Sequence, residues 1–142
     1  MKLLDWQTYA LGSALFAALT AICAKASVVQ LNSNQATLIR TIVILVITGL
    51  VVAWRQEWEP IQNLPGRALL LLVVSGIATG LSWLCYFKAL QLGPASRVAP
   101  VDKLSVVFVI LLAYFFFGEP LTPKVLLGGG LILAGSLIMA LP

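Results

Sequence analysis

The chain has 142 residues, of which 61% are hydrophobic and only 10% charged, with a mean hydropathy of +1.02. Soluble domains carry about 25% charged residues, so the composition excludes an ordinary soluble fold and makes this an all-α integral membrane protein. No histidine is present and the two cysteines, Cys23 and Cys85, fall inside apolar runs. They read as small buried hydrophobes. A Cys/His zinc site is excluded, and no metal or cofactor is expected. The net charge of +4 comes from basic residues spread along the chain, without the polybasic block that would point to nucleic acid.

Five helices are predicted in chain order, at about 9–28, 35–54, 68–90, 95–117 and 123–141. Each is close to the roughly 20 residues that cross a hydrocarbon core. The opening "MKLLDW", the apolar run and "AKA" before Ser27 have the outline of a secretory signal. Asp5 beside Lys2 and the length of the run make a membrane span the better reading. The links carry turn chemistry: "NSN", "RQEWEPIQNLPGR", "QLGP" and "GEPLTP". Trp6, Trp54 and Trp58 fall near helix ends, where amphipathic rings prefer the interface. Gly76 and Gly80 in the third helix, and Gly128, Gly129, Gly130 and Gly135 in the fifth, allow close backbone approach. In the fifth helix these glycines are candidates for packing against a second copy.

Five spans put the termini on opposite sides of the membrane. Basic residues near one side are Lys2, Arg55, Arg67 and Lys124; near the other are Lys25, Arg40, Lys88, Arg97 and Lys103. Orientation normally follows an excess of Lys and Arg in the cytoplasmic loops. Here no such excess exists. The chain can therefore insert both ways up, and two opposite copies can pair about an axis in the membrane plane, as inverted repeats do. A single orientation set by a weaker determinant is the alternative.

Within the spans, Lys25, Arg40, Lys88, Asp102 and Lys103 share a similar depth. Lys25 and Lys88 are close enough to an edge to snorkel. Arg40 has no acid three or four positions away. Asp102 has Val98, Ala99, Ser105 and Val106 at those positions, and Lys103 a quarter-turn off on a continuous helix. If it is ionised, its partner must come from another helix or another chain, with Arg40 and Lys25 as the candidates. The stretch "APVDKLSVV" has two readings. If the fourth helix starts near Pro100, Asp102 is a first-turn acid that meets the helix dipole. If it starts near Pro94, Pro100 kinks it and frees carbonyls. The basic excess on this side suits an anionic substrate, or an ordinary cytoplasm-facing end.

The spaced pieces Lys25, Arg40, "YFKALQLGPAS" with Tyr86, Ala89 and Leu90, Pro100, and "FFFGEPLT" with Gly118, Glu119 and Pro120 resemble the EamA domain of the drug/metabolite transporter superfamily. The resemblance covers nearly the whole chain as one domain, residues 1–142. It is closest to the single-domain, five-span bacterial and archaeal type. It implies half of an inverted-repeat transporter, completed by a second copy and carrying small organic metabolites across the inner (plasma) membrane. "VDK" at 101–103 departs from the two-domain pattern, where uncharged residues are expected. Candidate cavity residues are Lys25, Arg40, Trp83, Tyr86, Lys88, Asp102 and Lys103. Gly118 and Glu119 order the turn after the fourth helix. No acid, base and nucleophile constellation is present for an enzyme. An accessory subunit that pairs with a different chain is the competing reading.

Overall fold

The computed structural model describes residues 5–141, which are 85% helical with no strand. Lys2, counted above among the loop charges, lies outside the described residues. The helices are α1 (Asp5–Val28), α2 (Ser33–Arg55), α3 (Gly66–Leu92), α4 (Ala95–Asp102), α5 (Ser105–Phe117) and α6 (Pro123–Ala140). They supply five stretches long and apolar enough to cross a membrane, with α4 and α5 together forming the fourth. A helix satisfies its own backbone polar groups, which is why apolar spans take this form in lipid.

The helix ends follow local chemistry. Asn32 caps α2, its side-chain oxygen accepting from the Asn34 N–H at 2.9 Å. Gln56 ends α2 in the left-handed region, at φ 55°. A short 3-10 turn, Ile61–Asn63, interrupts the link to α3. Gly118 ends α5 at φ 65°, with the Gly118 and Glu119 N–H groups donating to Tyr114 and Ala113 carbonyls. This is the glycine-terminated helix stop. Thr122 caps α6 by accepting from the Val125 N–H at 3.3 Å, and Pro123 fills the first helical position.

The fourth predicted helix is not continuous. It begins at Ala95, so Pro100 lies inside α4, and Lys103 and Leu104 form a turn before α5. The Lys103 and Leu104 N–H groups donate to the Pro100 and Val101 carbonyls, and those of Val106 and Val107 to the Lys103 and Leu104 carbonyls, all at 3.0 Å. Each spans three residues, the 3-10 pattern. Pro100 has no N–H to donate back, and its ring crowds the carbonyl four residues earlier.

The chain forms two compact units, one the chain up to Ile22 and from Leu92 onward, the other Cys23–Gln91. In the first, α6 packs against α4 and α5. Gly129 is buried there, and a Cβ on it would lie 2.9 Å from Ile110 Cδ1 of α5. Gly129 therefore serves packing within the chain, whereas Gly128, Gly130 and Gly135 face open space. In the second unit Phe87 and Leu90 are the fully buried side chains. Both cysteines are exposed, which corrects their reading as buried. An apolar run in a membrane does not mark a protein core, because lipid covers outward faces as well as a neighbouring helix does.

Candidate functional site

Arg40 organises the Cys23–Gln91 unit. It stands seven residues into α2, about 10 Å along the axis from Ser33. Its guanidinium carbon lies 3.9 Å from the centroid of the Trp83 ring and 5.6 Å from that of Phe87, both on α3. These are cation–π distances. Trp83, Tyr86, Phe87 and Leu90 recur at the three- and four-residue spacing that shares one helix face. Phe87 was not among the residues singled out from sequence, although its position one turn after Trp83 was the available signal.

Lys25 and Lys88 occupy the same end of this unit. The Lys25 ammonium donates to the Leu90 carbonyl at 2.7 Å. That carbonyl is among the last four of α3, which have no acceptor role inside the helix and carry the negative end of its dipole. Lys88 donates to Gln91 Oε1 at 3.0 Å. The unit's carboxylates, Glu57 and Glu59, both follow α2 at its other end, where Glu57 approaches Arg55 at 3.7 Å. The end with Lys25, Arg40 and Lys88 thus has three cations and no carboxylate of its own unit.

The Asp102 carboxylate is 3.5 Å from the ammonium of Lys103, the next residue. On a continuous helix these two neighbours would point about a quarter-turn apart. The stop at Asp102 lets the long lysine side chain fold back on it. An adjacent opposite pair lowers the cost of holding both charges in a span. Nearby, Ala99, Pro100, Lys103, Val106, Gly135, Ser136 and Met139 line part of an open groove of about 480 Å³. Ser136 is buried, and nothing in its sequence setting beyond the small-residue neighbourhood of Gly135 pointed to it. Glu119 orders its turn through its backbone N–H, and its side chain is exposed. No cluster of metal-ligating side chains occurs among the described residues.

Compared with known proteins, residues 5–141 match the EamA-like transporter family. The chain belongs to that family. This EamA-like chain is 52% identical over 136 residues, 96% of each chain, to an uncharacterized transporter in the cobO 3' region of a Sinorhizobium species. No solved structure matches it. Family membership and five apolar spans make this EamA-like protein a multi-pass membrane transporter. Transporters of this kind are generally not enzymes.

Proposed function

We propose that this chain is a single EamA-like domain that forms half of a transporter for small organic metabolites. Two copies in opposite orientations make the working unit, in the inner (plasma) membrane. Substrate binds near the midplane, in a cavity drawn from Lys25, Arg40, Trp83, Tyr86, Lys88, Asp102 and Lys103 of both copies. Rocking of the two halves opens it to one side and then the other.

The observation that supports this reading is the balance of charge at the helix ends. At one set of ends stand Arg55, Arg67 and Lys124; at the other stand Lys25, Lys88 and Arg97, three against three among the described residues. Arg40 and Lys103 lie further inside their spans. A chain with no excess of basic residues on either side has no electrostatic reason to prefer one orientation.

The test is topology. Reporters fused to the C-terminus, one active only in the cytoplasm and one active only outside it, should both give signal. Signal from one side alone would overturn the antiparallel dimer and favour a separate partner chain.

A further inference from the structure

We infer that Arg40, stacked on Trp83, is an anion-binding site that takes the carboxylate or phosphate group of a small organic anion. This rests on the transporter reading for treating the anion as cargo; the binding site itself does not. The first observation is direction. Trp83 is nine residues before the end of α3, about 13 Å along its axis, and Phe87 five residues, about 8 Å. With five spans, the start of α2 and the end of α3 share a side. The Arg40 guanidinium is nearer the deeper ring, 3.9 Å against 5.6 Å. A helical side chain leans toward the helix N-terminus, which for α2 is outward, and a snorkelling arginine would follow that lean to the interface. Arg40 instead keeps its guanidinium over the ring of Trp83, the deeper of the two along α3.

The second observation is what the guanidinium still lacks. Stacking occupies its face, while its five N–H donors lie in the plane and point outward from the edges. No hydrogen bond or ion pair engages Arg40 among the described residues. The donors of a charged group inside a span need acceptors. No acid occurs on α2 or α3, and the unit's carboxylates sit beyond the far end of α2, roughly 25 Å along the axis. Lys25 and Lys88 add positive potential and no neutralising charge. A planar, bidentate acceptor that carries negative charge is the complement of that fork.

The test uses Trp83 as its own reporter. Full-length protein with Trp6→Phe, Trp54→Phe and Trp58→Phe is reconstituted in zwitterionic vesicles and titrated with inorganic phosphate and with benzoate, at constant ionic strength in chloride. A saturable change in Trp83 emission with at least one of them is expected. Arg40→Gln should weaken it by about tenfold or more, the size expected for lost hydrogen bonds to a charged group. Arg40→Lys, which keeps the charge, should lose less, and Arg55→Gln at the far end should leave it within about twofold. No saturable change, or the same change in a folded Arg40→Gln protein, overturns the inference. So does a response produced by vesicles with an anionic lipid alone, which would make the site a headgroup contact. Binding that appears only after Asp102→Asn would mean that a carboxylate of the protein already fills the site, and also overturns it. Anion binding that persists while the C-terminal reporters show one orientation would sink the antiparallel dimer and leave the site standing. Vesicle uptake of a metabolite that Arg40→Gln leaves untouched would keep the transporter reading and overturn the anion's role as cargo.

Discussion

A guanidinium at the bilayer centre costs about 2.5–3.5 kcal/mol on insertion scales, and the Trp83 face, 3.9 Å away, offsets part of that. The offset is measurable. A double-mutant cycle of Arg40→Met with Trp83→Leu, read by thermal unfolding in detergent, should give a coupling of about 0.5–2 kcal/mol. Leu keeps bulk at the site and removes the ring quadrupole, so a coupling near zero would mean that Arg40 and Trp83 merely adjoin. Backbone conformation gives a second prediction. Gly118 has φ 65° and Gln56 has φ 55°. Gly118→Ala should destabilise by about 1 kcal/mol and Gln56→Gly should stabilise by up to about that much. Residue by residue, the sequence exposed the odd members of the spans: Arg40 without an acid, Asp102 without a helical partner, Trp83 on the same helix as Lys88. It did not show what they touch. Lys25 meets the Leu90 carbonyl, and a backbone acceptor has no letter of its own in a sequence.

Helix existence was legible throughout, because runs of apolar residues between Pro, Gly and Asn leave little else for a chain in lipid to do. Helix continuity was not. The proline in "APVDKLSVV" was visible, but whether it opened a helix or sat inside one depended on where the preceding turn ended. The structure starts α4 at Ala95 and stops it at Asp102, which also brings Lys103 onto Asp102. Pro100→Ala restores an N–H four residues after the Ser96 carbonyl. It should raise thermal stability and lower the transport rate, if the break at 103–104 is used in the transport cycle. Unchanged transport with raised stability would limit the proline to a local role. The α5–α6 contact is tested by contrast. Gly129→Val pushes into Ile110 and should cost about 1–3 kcal/mol, whereas Gly130→Val meets nothing within 4 Å and should leave the folded monomer nearly unchanged. A large loss of self-association in Gly130→Val would mark that face as the contact with a second copy.

For the whole molecule, orientation is a sum over many weak votes, so it can be tipped from any link. Gln30→Lys with Asn34→Lys adds two charges on one side, and Gln62→Lys with Asn63→Lys adds two on the other. Each doubly substituted chain should fix in one orientation and lose transport when expressed alone. Co-expression of the two should restore it. Full transport by either one alone would rule out a requirement for opposed copies. Charge balance could be counted from letters because it depends only on which links alternate sides. The placement of Ser136 and Phe87 could not, because burial depends on which helix faces which. In a membrane the hydrophobic signal that marks an inward face in water is uninformative, as exposed Cys23 and Cys85 show.

Arginine keeps its proton across the whole physiological range. A cell that acidifies or turns alkaline therefore cannot switch Arg40 off. Arg40 and Trp83 belong to different helices, α2 and α3. On the proposed reading, a shift between these two helices would separate the ring from the guanidinium and change the grip on a bound anion. Helix motion is then a geometric control on that grip, one that needs no change in the charge of Arg40.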